Sequence, residues 1–85
     1  MVSSRKLYMK ALNSPANLRF AELVRLATAF GFVLERTEGS HHVLRHPGVR
    51  EILNIQPDHG RAKAYQVREL LTYVRDYHLN LEERS

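Results

Sequence analysis

The stretch Gly39-Ser40-His41-His42 sets an imidazole directly after a turn, between the runs Phe32–Thr37 and Val43–Pro47. Gly39 supplies the φ freedom of a tight turn, and Ser40 has a hydroxyl able to bond local backbone. His41 is therefore delivered at the first residue of a strand, with Arg36 before the turn and Arg45 after it. Histidine titrates nearest neutrality of all side chains, and arginine forks match phosphate oxygens. These residue types at this spacing suit cleavage of RNA. A neutral His41 can take the proton of the ribose 2′-hydroxyl while Arg45, Arg36 or Lys63 hold the phosphate. No metal is required, because RNA carries its own nucleophile. On spacing alone, however, His41 reads more simply as a turn histidine bonded to backbone.

The chain has five histidines, which raises the question of a metal. His42 and His46 lie four apart in a strand, about a dozen ångströms along it, and His41 and His42 point to opposite faces. A shared ion is not expected. His59, beside Gly60, reads as a solvated loop residue that is also a second candidate proton donor. His78 reads as a dipole-compensating residue near a helix C-terminus.

The elements that must position these side chains follow from the hydrophobic pattern. Residues 4–12 form a short helix that packs Leu7, Tyr8, Ala11 and Leu12, and Asn13–Asn17 is a turn cluster. Phe20, Leu23, Val24, Ala27 and Phe30 recur at helical spacing. Leu18 and Leu23 fit a hydrophobic staple, Glu22 suits the first turn, and Gly31 ends the helix. Strands are expected over Phe32–Thr37, His41–His46 and Glu51–Gln56, the first two joined by a turn at Glu38-Gly39-Ser40. Pro57–Arg61 is a loop. A second core helix runs from Lys63 or Ala64 to about His78, with an apolar stripe of Val67, Leu70, Leu71, Val74 and Tyr77. The expected fold is therefore α+β, in the order α-β-β-β-α. Two helices cover one face of a three-stranded antiparallel sheet after a short N-terminal extension. A single domain covers 1–85: an extension and turn over 1–17, a core over 18–78 and a tail over 79–85, whose last residues from Leu81 are expected to fray. If Leu44 faces the helices, strand parity puts His41 and Arg45 on the open face.

Composition sets outer bounds. Residues 1–47 hold seven Lys/Arg against three Asp/Glu, and residues 48–85 hold six against six, so the whole excess of +4 lies in the first half. That balance suits a polyanion but is also ordinary solubility charge. With no cysteine the chain has neither disulfides nor thiolate metal sites, and a reducing cytoplasm is the expected location. No apolar run is long enough for a bilayer, and no signal-peptide core precedes the fold.

The residues Phe20-Ala21-Glu22-Leu23, Phe30-Gly31-Phe32, Gly39-Ser40-His41-His42, Arg45-His46-Pro47 and Lys63–Arg68 together resemble the HicA family of bacterial toxins. Those are small mRNA interferases with a fold like a double-stranded-RNA-binding domain. In that family the histidine after Gly-Ser is catalytic, so the resemblance assigns this role to His41 and none to His42. Many members carry Lys-Gly-Thr at the second helix, where this chain has Lys63-Ala64-Tyr65. The resemblance implies a metal-independent endoribonuclease toxin without a cofactor, acting on mRNA and held by a HicB-like antitoxin. The candidate RNA-contacting residues are Gly39, Ser40, Arg36, Arg45, Arg61 and Lys63. Two other functions fit the same residues. One is a non-catalytic RNA-binding module; the other is a protein-interaction subunit that docks a partner on its sheet edge or open face.

Overall fold

The computed structural model describes residues 3–82. Three helices, α1 (Ser4–Asn13), α2 (Phe20–Ala29) and α3 (Ala64–Asp76), accompany strands β1 (Val33–Glu38), β2 (His41–Arg45) and β3 (Leu53–Ile55). The strands form an antiparallel sheet in the order β1-β2-β3, as the alternation of strand and turn signals predicts. Among the described residues no helix is long and apolar enough to cross a membrane.

The start of α2 follows from its sequence. Leu18 and Leu23, both fully buried, close the hydrophobic staple around the N-terminus. The Glu22 carboxylate accepts the Arg19 backbone N–H at 2.9 Å and also meets Lys10 Nζ of α1 at 3.1 Å. These contacts hold its carboxyl below the usual carboxylate range, the Arg19 N–H being the largest cause and Lys10 a further one.

The end of α2 depends on Gly31 at φ +100°. Gly31 N–H reaches Thr28 C=O at 2.9 Å and Phe32 N–H reaches Ala27 C=O at 3.0 Å. This is a Schellman closure, and it turns the chain directly into β1. Helix α3 ends in the same way without glycine. His78 takes φ +54°, its N–H reaches Arg75 C=O at 3.3 Å, and Leu79 N–H reaches Val74 C=O at 2.9 Å. His78 is thus the left-handed residue of the cap.

The N-terminal helix is part of the core. Leu7 and Ala11 are buried in the same cluster as Leu23, Phe30, Leu44, Leu53 and Val67, and Tyr8 meets the Phe30 ring edge-on at 5.1 Å. Leu12, expected to pack, is instead exposed. Of the residues expected to fray, Leu81 packs against the core and Glu82 N–H bonds Ala29 C=O at the end of α2; 83–85 lie outside the described residues.

The loop before α3 is more ordered than its composition predicts. Asp58 and Arg61 exchange backbone bonds of 2.9 and 3.0 Å around His59-Gly60, both at positive φ, as a tight hairpin turn requires. Phe20 N–H then reaches Gly60 C=O and Ala62 N–H reaches Leu18 C=O, each at 3.0 Å. This short ladder fixes the start of α2 against the approach to α3. The buried Gln66 ties α3 to β3: its Oε1 accepts the Gln56 backbone N–H at 3.2 Å and its Nε2 donates to Tyr65 Oη at 3.2 Å.

Candidate functional site

Register decides which side chains share the open face. Leu44 of β2 pairs with Leu53 and points into the core, so His41, Val43 and Arg45 point the other way. Across the ladders Val43 faces Arg36 on β1 and Asn54 on β3, and His41 faces Glu38. The open face therefore gathers His41, Arg36, Arg45, Glu38 and Asn54 around Val43. Val43 is only 2% exposed although it lies outside the main core cluster; the long side chains of its cross-strand neighbours shield it. Gly39 and Ser40 form the two-residue hairpin turn, and Gly39 at φ +60° supplies the positive angle needed at its first position.

Glu35 joins this face through a bulge. Leu34 pairs with Leu44 and Arg36 with Val43, which leaves Glu35 as the extra residue on β1. Its carboxylate accepts Arg36 Nη1 at 2.7 Å and Arg45 Nε at 2.8 Å. Arg36 Nε also donates to Glu38 at 2.6 Å, and the Glu38 carboxylate, followed by Glu35, holds this guanidinium further into its charged form. The two candidate phosphate-holding arginines are thus paired within the chain.

The histidines separate into distinct environments. His41 is exposed, and its Nδ1 lies 3.2 Å from Asn54 Oδ1. His42 turns inward, packs its ring edge-on against Phe20 at 4.9 Å, and directs Nδ1 at the Ser40 carbonyl at 3.0 Å. His46 packs against Phe32 at 5.2 Å and accepts the Gly48 N–H at Nδ1. His59 is 96% exposed at its turn, with Nδ1 2.8 Å from Asp58 Oδ1. Among the described residues no three His, Cys, Asp or Glu side chains converge as a metal site would require.

The remaining candidates lie off the sheet. Lys63 is the half-buried N-cap of α3, and its carbonyl accepts the N–H groups of Gln66 and Val67. Helix geometry leaves the N–H groups of Ala64 and Tyr65 without an intrahelical partner beside it. Arg61 belongs to the ladder with Arg19, and its guanidinium donates to Ala16 C=O at 3.3 Å. Asn54, Glu35 and Glu38 are members of this face that local sequence pattern does not single out. Asn54 stands between two core residues in Leu53-Asn54-Ile55. That alternation marks it as outward-facing, but the loop before β3 leaves its partner on β2 unspecified.

No curated protein and no solved structure matches the chain. A family model described as the HicA toxin of bacterial toxin–antitoxin systems matches residues 20–74, from the first residue of α2 through the hairpin and sheet to the last buried turn of α3. The match spans more than half of the chain and includes every open-face residue described above, so this protein belongs to the HicA toxin family.

Proposed function

We propose that this toxin is a metal-independent endoribonuclease that cleaves mRNA, with His41 as its general base. The observation that carries the proposal is the shared orientation of His41 and Arg45 on the solvent side of β2 while Leu44 anchors the strand in the core. His41 removes the 2′-hydroxyl proton, and the freed oxygen attacks the adjacent phosphorus. The bond to the 5′-oxygen breaks, and that oxygen takes a proton from water. The products are a 2′,3′-cyclic phosphate and a 5′-hydroxyl. Arg45 and Arg36 exchange carboxylate for phosphate oxygens and stabilise the phosphorane charge. Lys63 and the start of α3 add a cation and backbone N–H groups to the RNA path. Gly39 and Ser40, having little side chain, let the backbone approach.

The family is the toxin half of a two-component system, and the proposed antitoxin is a small acidic HicB-like protein that covers His41 and pairs the arginines. One observation favours a protein partner on the neighbouring edge as well: β1 is exposed along its whole length, with Val33 and Leu34 65% and 51% exposed.

The test is His41→Ala. An exposed strand-end histidine contributes little packing, so the variant should keep the parent's urea midpoint while cleavage falls about 10²–10⁴-fold. The parent should cut equally well in excess chelator. If the variant cuts as fast as the parent, His41 is not the base and the RNA-binding module becomes the better description.

A further inference from the structure

We propose that Asn54 is a positioning residue for His41: its amide carbonyl holds the proton on Nδ1 and so presents the unprotonated Nε2 to solvent. The catalytic meaning of this pairing rests on the ribonuclease proposal; the pairing itself does not.

The backbone places Asn54 firmly. Its neighbours Leu53 and Ile55 are both fully buried, so β3 cannot rotate without emptying the core. Strand alternation then obliges Asn54 to project onto the open face, where Oδ1 lies 3.2 Å from His41 Nδ1. A neutral imidazole has one donor and one acceptor nitrogen, so a carbonyl at Nδ1 assigns the proton there. A ring protonated on Nε2 would turn its lone pair toward Asn54 and leave nothing outward to accept a proton.

The surroundings leave this role to Asn54. The charged groups on His41's face are Glu38 directly across the ladder, with Arg36, Arg45 and the bulge residue Glu35 farther along it; β3 contributes none. Both carboxylates are held by arginines: Arg36 Nε engages Glu38 at 2.6 Å, and Glu35 accepts Arg36 and Arg45. The neutral amide therefore orients the ring without adding charge. Other histidines of the same chain show that neighbours, not the residue itself, set the proton position. His42 directs Nδ1 at a carbonyl, whereas His46 accepts an N–H at Nδ1 and must carry its proton on Nε2.

The test is imidazole nitrogen NMR on the full chain at a pH where His41 is neutral, with the signal assigned by its loss in His41→Ala. The parent should show the proton on Nδ1. Asn54→Ala should move it predominantly to Nε2, with an unchanged urea midpoint. Asn54→Asp keeps an acceptor in place, so it should retain the Nδ1 proton and shift the His41 titration midpoint upward relative to the parent. In cleavage assays Asn54→Ala should lower kcat roughly 10-fold or more with KM little changed, a part of the loss expected on removing the base itself. The acid limb of the Asn54→Asp rate profile should move to higher pH. A parent ring protonated on Nε2, or a proton position indifferent to Asn54→Ala, overturns the pairing. If the NMR results are as expected but His41→Ala still cuts RNA, the pairing stands and the ribonuclease proposal falls.

Discussion

Arg45 Nε donates to Glu35 Oε2 at 2.8 Å, while the other oxygen of that carboxylate accepts Arg36 at 2.7 Å. In the proposed mechanism Glu35 thus occupies the place an RNA phosphate would take between the two arginines. Exposed ion pairs of this kind are weak and easily exchanged, so under the proposed mechanism RNA would displace the carboxylate. Glu35→Gln should tighten RNA binding. Glu38 still holds Arg36 in that variant, so mainly Arg45 is released. The log–log salt slope should therefore steepen by about 0.7 for single-stranded RNA. Weaker binding by Glu35→Gln would mean instead that the carboxylate holds the arginines in the RNA-competent orientation.

Acid should weaken the junction of α1 and α2. The Glu22 carboxyl is depressed by the Arg19 N–H first and by Lys10 further. A depressed carboxyl contributes stability that is fully present above its unfolded value, near about 4.3, and is lost as pH falls through the lower folded value. Urea titrations should find Glu22→Gln less stable than the parent at pH 7, with the gap closing below about pH 4. A constant gap across that range would assign the effect to packing.

Glu69 should act in the opposite sense. Burial raises its carboxyl, the neighbouring Tyr73 hydroxyl opposing the shift in part. A raised carboxyl opposes folding once it is ionised, and the penalty is relieved as pH falls through the folded value. Glu69→Gln should therefore raise the urea midpoint at pH 7 and lose that advantage in acid.

The two helix caps should respond oppositely to exchange of their left-handed residues. His78 at φ +54° bears a side chain in a conformation costing about 1–2 kcal/mol, so His78→Gly should stabilise the fold by up to about 1 kcal/mol after the added unfolded-state entropy. Gly31→Ala should destabilise by about 1–2 kcal/mol. It forces an alanine to φ +100°, and its Cβ would lie 2.8 Å from Glu82 Oε2 and 2.9 Å from His46 Nε2. Chemical denaturation of both variants measures the pair, and equal signs would contradict the cap assignment.

Truncation of the first helix should unfold the protein, not trim it. Leu7 is 1% exposed within the common core, so Leu7→Ala should cost about 2–5 kcal/mol. A loss below about 1 kcal/mol would make α1 an appendage.

Much of this architecture was legible in the residues. Helical periodicity found α2 and α3, the Gly39-Ser40 turn found the hairpin, and alternation around Leu44 placed His41 and Arg45 on one face. What escaped depends on partners remote in sequence. The Glu35 bulge arises from the pairing of β1 with β2, which alternation within one strand does not encode. β3 spans only Leu53–Ile55. Glu51 and Ile52, expected to extend it, serve α3 instead: Tyr77 Oη donates to the Glu51 carboxylate at 2.6 Å and Tyr73 Oη to Ile52 C=O at 3.4 Å. Asn54 became visible as the partner of His41 only once β3 was in register. The cap at His78 lacks the glycine that would announce it.

The ladder between residues 18–20 and 60–62 has a dynamic consequence. It joins segments some forty residues apart through two backbone bonds, so it closes a long loop across the hairpin and sheet. Once formed, it makes the starts of α2 and α3 one opening unit. The Phe20 and Ala62 amides should exchange with solvent at a common rate, because neither bond can break and leave the other strained in place. Any fluctuation that releases Lys63 would then also loosen the first turn of α2, and the breathing of the start of α3 would be linked to the anchorage of the N-terminal helix through Glu22 and Lys10.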